Sequence, residues 1–150
     1  MGMGQYDEAR TYLERALSIA ENVDGDNHPT VATILNNLGL CFKNLRKYEE
    51  AKPHAERAVA IREKTLGPTH PSLADSLFNL GDILMHMGQY NEARTYLERA
   101  LSIAENAHGD NHPDVAAILN NQGLCFLYSR KYEEAKHCAE RAVAIKEKKH

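Results

Sequence analysis

The chain has 150 residues, with 18 Lys+Arg against 21 Asp+Glu and a formal net charge of −3. At 43% apolar and 26% charged residues, it has the composition of one globular domain or a short repeat array, not of a disordered segment. The near-neutral balance, without a block of like charge, argues against a nucleic-acid arm or a polybasic membrane surface, and no run reaches the roughly 18 apolar residues of a membrane span. The opening Met1-Gly2-Met3-Gly4 is not a signal peptide. Cys41, Cys125 and Cys138 sit in apolar patterns without metal-ligand spacing. An odd number of thiols in so short a chain predicts reduced cysteines and a cytoplasmic location.

Residues 5–22 place Tyr6, Ala9, Leu13, Ala16, Leu17 and Ala20 at helical spacing, which predicts one helix. His28-Pro29 opens the next. Proline suits the first turn, where a backbone N–H has no partner anyway, and Asn27 or His28 is the expected cap. Its stripe is Val31, Ile34, Leu35, Leu38, Phe42 and Leu45. A further helix starts at Tyr48, carries Ala51, Ala55, Ala58 and Ile61 on one face, and ends before Gly67-Pro68. The link between these two helices is short, so they fold back as an antiparallel hairpin. Pro53 falls about one turn inside the second helix, and a continuous helix is expected there.

The remainder of the chain repeats this pattern. Residues 4–64 return 84 positions later as 88–148, and 12 of the 61 aligned positions differ. A weaker period of 42 runs through His28-Pro29, His70-Pro71 and His112-Pro113, and through Gly39, Gly81 and Gly123. Such repetition marks a stack of like units. Complete hairpins are expected at 29–65, 71–108 and 113–149, after the unpaired helix at 5–22, giving seven helices in a single array over 1–150. Met3-Gly4 matches Met87-Gly88, so the chain reads as beginning inside a longer array, with Met1-Gly2 as an expression start. Glycine inside a helix costs roughly 1 kcal/mol against alanine. The recurrence of Gly39, Gly81 and Gly123 therefore predicts close approach to Ala51, Ala93 and Ala135 on the partner helices. Gln122 interrupts a stripe that has Leu38 and Leu80 at the matching positions.

The run Leu35-Asn36-Asn37-Leu38-Gly39, through Lys47-Tyr48-Glu49-Glu50-Ala51, to Glu56-Arg57-Ala58-Val59-Ala60-Ile61 resembles the tetratricopeptide repeat. The 42-residue period, the His-Pro openings and the linker Leu66-Gly67-Pro68-Thr69-His70-Pro71 resemble its kinesin-light-chain subtype. The resemblance implies an all-α, right-handed superhelical solenoid of antiparallel helix hairpins. First helices would line a concave groove and second helices the convex face.

Carried over by position, the resemblance assigns Thr33, Asn36, Leu40, Lys43 and Asn44 to that groove, then Asp75, Phe78, Asn79, Asp82, Met85 and His86, then Ala117, Asn120, Leu124, Leu127 and Tyr128. Positions 36, 40, 43 and 44 share one helix face. Asparagine can donate to and accept from an extended backbone, so Asn36 and Asn120 suit a bound peptide. Family members that clamp chaperone C-terminal carboxylates use basic groove residues, where this chain has Asn36, Leu40, Ala117 and Asn121; only Asn79 matches the clamp. A carboxylate would lack charge-assisted partners here. Asp75 and Asp82 likewise oppose an acidic ligand.

Little in the sequence suggests catalysis. The His-Pro histidines read as caps, there is no glycine-rich phosphate loop, and His137 and Cys138 are adjacent and point apart on a helix. His108 and His112 are four apart, but Gly109-Asp110-Asn111 intervenes, so no helical metal pair is expected. The expectation is a non-enzymatic scaffold without cofactor or metal. It would bind a protein or peptide ligand, and neither nucleic acid nor membrane. The alternative is a structural module that associates weakly with itself through its exposed terminal helices.

Overall fold

The computed structural model describes residues 2–148; Met1, His150 and residue 149 of the expected third hairpin lie outside them. Among these residues there are seven α-helices and no strand: α1 (Met3–Asp24), α2 (Pro29–Asn44), α3 (Tyr48–Leu66), α4 (Pro71–His86), α5 (Tyr90–His108), α6 (Pro113–Tyr128) and α7 (Tyr132–Lys148). They fall into two compact units that divide between Pro68 and Thr69.

The His-Pro openings set the helix starts. His28, His70 and His112 are the N-caps, and the ring Nδ1 of each accepts the backbone N–H two residues on, from Thr30 at 3.1 Å, Ser72 at 3.0 Å and Asp114 at 3.1 Å. Each ring thus satisfies one of the otherwise unpaired donors of the first turn. Asn27 is not the cap. Proline follows at the first helical position in all three.

In the first unit, α2 pairs with α1 and α3. Ala20, Val31, Ala32, Leu35, Ala58 and Ile61 form a buried cluster, with Leu17 and Ile34 packed against it. Glu21 and Arg57 bridge α1 to α3 at 3.1 Å. Helix α3 runs unbroken through Pro53. Pro53 is the sixth residue of the helix, so it removes one backbone donor, and the helix continues past it.

In the second unit, α4, α5, α6 and α7 pack in chain order, and α4 also touches α6. Leu73, Leu77, Leu80, Ile83, Leu84, Leu97, Leu119, Val115 and Cys125 are fully enclosed. Burying a side chain of this size contributes about 1.5–3 kcal/mol. Gln122 is buried with them at 5% exposure. The repeat glycines lie against the expected alanines: an added Cβ would stand 3.6 Å from the Ala51 carbonyl oxygen at Gly39, 3.3 Å from that of Ala93 at Gly81, and 3.6 Å from that of Ala135 at Gly123.

Candidate interaction surface

The residues assigned to the groove are distributed over α2, α4 and α6, and their settings differ. On α2, Asn36, Leu40 and Lys43 are half-buried and Thr33 and Asn44 exposed. The Thr33 hydroxyl donates to the Pro29 carbonyl at 3.3 Å and accepts from Arg62 Nη2 at 3.4 Å, so it helps seat the buried Arg62 of α3.

In the second unit, Asp75 and His86 are exposed and Phe78 and Asn79 half-buried on α4, while on α6 Ala117 and Asn120 are exposed and Leu124 is half-buried. Of the assigned apolar residues, Leu127 and Tyr128 are the most exposed large ones, at 46% and 56%. Two assigned residues are not surface groups: Asp82 and Met85 are each only 8% exposed. Helix α4 has α6 along its flank, and the family register alone does not reveal that cover. Asp82 Oδ1 accepts from Asn121 Nδ2 at 3.3 Å and lies 3.5 Å from His86 Nδ1. Its charge is committed inside the unit and does not project as the open negative patch expected from the sequence.

Three contacts were not anticipated from the sequence. Asn121 holds α6 to α4 through Asp82. Tyr90 of α5 stacks on Tyr128, with ring centroids 5.3 Å apart and planes at 27°. Arg94 lies over the Phe126 ring at 4.8 Å, a cation–π contact. Tyr90 and Arg94 are second-helix residues, and no spacing rule along one helix pairs them with α6. The aromatic partners were the available signal.

The cysteines are buried and unpaired. Burial pushes all three thiols up, and Cys125 reaches about 11, raised further by the Asp82 charge and held back by Arg94. Such thiols are poor nucleophiles. The histidines of the α5–α6 junction depart from expectation. The intervening loop does not keep them apart: the His108 and His112 rings stack, with centroids 4.2 Å apart. Gly109, at φ 82°, reverses the chain and brings them together.

A family model for the tetratricopeptide repeat matches residues 1–64, 30–84 and 72–148. The chain belongs to the tetratricopeptide-repeat family. Among solved structures, BtubC (BKLC) from P. vanneervenii matches at 30% identity and a TM-score of 0.88, over 95% of this chain and 57% of that one. A kinesin-light-chain-type protein of Podosopora anserina with nearly identical TPR-like repeats matches at 27% identity and a TM-score of 0.78, over 98% of this chain and 70% of that one. The TPR domain of Arabidopsis FLU shares the fold, at 20% identity and a TM-score of 0.70, over 78% of this chain and 95% of that one. This tetratricopeptide-repeat chain is therefore kinesin-light-chain-like in its repeats, and it spans little more than half the length of BtubC. No curated protein sequence matches it significantly. No helix among the described residues is long and apolar enough to cross a membrane. The fold is that of a protein-interaction scaffold.

Proposed function

We propose that this scaffold binds an extended peptide segment along the first-helix face of its second unit, where α4 and α6 lie side by side. The observation that carries the reading is the Asp82–Asn121 hydrogen bond: it joins the assigned faces of two successive first helices into one surface. Phe78, Leu124, Leu127 and Tyr128 supply apolar contact there, and Asn79 and Asn120 supply amides for a peptide backbone. A few apolar anchors carry most of the energy of such contacts. With Asp82 engaged internally and Asp75 exposed on α4, the ligand is an uncharged or weakly charged, non-acidic peptide with one or two apolar anchors. Its affinity depends little on salt. In the same proposal residues 1–150 form a single repeat array, the chain is a scaffold and not an enzyme, and its three buried thiols suit a cytoplasmic location.

The test is a peptide selected by display against the chain. Leu127→Ala and Tyr128→Ala should each weaken its binding at least tenfold, on the order of 1.4 kcal/mol, while Glu56→Ala and Glu98→Ala on second helices should not. Loss from the second-helix substitutions alone would move the site elsewhere.

A second reading, self-association through the first helix, rests on α1. Ile19 is 59% exposed there, whereas its repeat counterpart Ile103 in α5 is 6% exposed. Helix α5 has α4 and α6 as neighbours, and α1 has α2. Exchanging the exposed Ile19 and Val23 for glutamate should lower the mass seen by light scattering at high concentration. A mass that stays monomeric for both chains would remove this reading.

A further inference from the structure

We propose that His108, His112 and Asp114, where α5 passes into α6, form a site for a divalent transition-metal ion of the zinc, nickel or copper kind. One donor atom from each of the three residues lies within 4.8 Å of the others. His108 Nε2 is 3.8 Å and His112 Nδ1 is 3.7 Å from Asp114 Oδ2, and the two imidazole rings lie side by side, with centroids 4.2 Å apart. Around a tetrahedral zinc with bonds of about 2.0–2.1 Å, donor atoms stand roughly 3.3 Å apart. The side chains are exposed or half-buried, so rotation unstacks the rings, draws the donors in from within 4.8 Å and turns their in-plane lone pairs onto the ion.

Comparison of the repeats gives independent support. The two 61-residue copies differ at few places, yet two of those places flank the same capping histidine. Asp24 becomes His108 and Thr30 becomes Asp114, while His28 persists as His112. At these three places the α1–α2 junction thus holds one imidazole and one carboxylate, with His28 Nδ1 4.0 Å from Asp24 Oδ2. The α3–α4 junction has Leu66, His70 and Ser72 at the same places. Only the α5–α6 junction collects two imidazoles and a carboxylate. That donor set suits zinc, nickel or copper and not magnesium or calcium, which take oxygen ligands. His112 Nδ1 already accepts the Asp114 N–H, so coordination through Nε2 keeps the cap, whereas coordination through Nδ1 exchanges it. Either way three protein donors leave a coordination position for water or for a group on another molecule.

The test uses the whole chain freed of metal. Zn²⁺ is titrated calorimetrically, and Co²⁺ serves as a spectroscopic probe. The informative variant carries His108→Asp with Asp114→Thr, which restores the residues of the α1–α2 junction and so keeps a linker this chain already folds. Wild type should bind about one equivalent, and its cobalt spectrum should lack a thiolate charge-transfer band. The variant, with unchanged helical circular dichroism, should bind at least tenfold more weakly. Absence of saturable binding to wild type, or equal binding by the variant, would overturn the proposal.

Discussion

Gly39, Gly81 and Gly123 hold equivalent places, yet an added methyl group meets different surroundings at each. At Gly39 it would make ordinary contacts of 3.6–3.7 Å with Ala51 and Ala55. At Gly81 it would stand 2.8 Å from Leu97 Cγ. The cause is one residue on the partner helix: Leu97 occupies the position that Ala55 and Ala139 hold elsewhere. Gly39→Ala should therefore raise stability by up to about 1 kcal/mol through helix propensity, whereas Gly81→Ala should cost about 1–3 kcal/mol by overpacking. Chemical denaturation of both variants checks the opposite signs. The close approach was legible from the recurring glycines, and the difference was legible only by comparing their partners. Cys125 gives a second residue-scale prediction. Burial pushes its folded thiol up to about 11, from the ordinary value of 9.0. A raised folded value means its contribution to stability is complete below about pH 9 and lost as pH rises through 11. Cys125→Ala should flatten the fall in melting temperature between those limits; an unaltered slope would assign that fall to other groups.

The hairpin turns are the informative elements. In each, a residue with positive φ lets the chain turn back: Arg46 at 62°, Gly88 at 80° and Arg130 at 63°. The following N–H then donates to a carbonyl five residues earlier, Lys47 to Phe42 at 2.8 Å, Gln89 to Leu84 at 2.9 Å and Lys131 to Phe126 at 2.8 Å. This is the helix-ending arrangement that favours glycine. The left-handed conformation costs a side-chain-bearing residue roughly 1–2 kcal/mol, so Arg46→Gly and Arg130→Gly should each stabilise the chain by up to about 1 kcal/mol, net of added unfolded-state freedom. Thermal unfolding of the two variants tests this, with Gly88→Arg as the destabilised reverse case. Helix starts were readable because proline and its capping histidine act within three residues. The burial of Asp82 was not, because it depends on α6 lying beside α4, a contact between residues about 40 apart in sequence, as in Asp82–Asn121. The meeting of His108 with His112 was hidden for a related reason: four-residue spacing has no fixed meaning across a glycine turn.

At the scale of the whole molecule, helix packing within each unit is mainly between helices adjacent in sequence, the α4–α6 contact excepted. Stability in such chains is a sum of local repeat and neighbour terms, and the division between Pro68 and Thr69 falls in a linker that breaks no helix. Residues 69–150 should accordingly fold as an isolated fragment that keeps α4 to α7. The apolar surface proposed for peptide binding, with Phe78, Leu124, Leu127, Tyr128 and the Tyr90 ring stacked on it, lies within this fragment. A display-selected peptide should therefore bind the fragment within about tenfold of its affinity for the full chain, a difference of no more than about 1.4 kcal/mol. Circular dichroism establishes that the fragment is helical, and titration calorimetry measures the binding. A helical fragment that fails to bind would show that residues before 69 supply essential contacts, and the proposed surface would then have to include Asn36, Leu40 and Lys43 of α2.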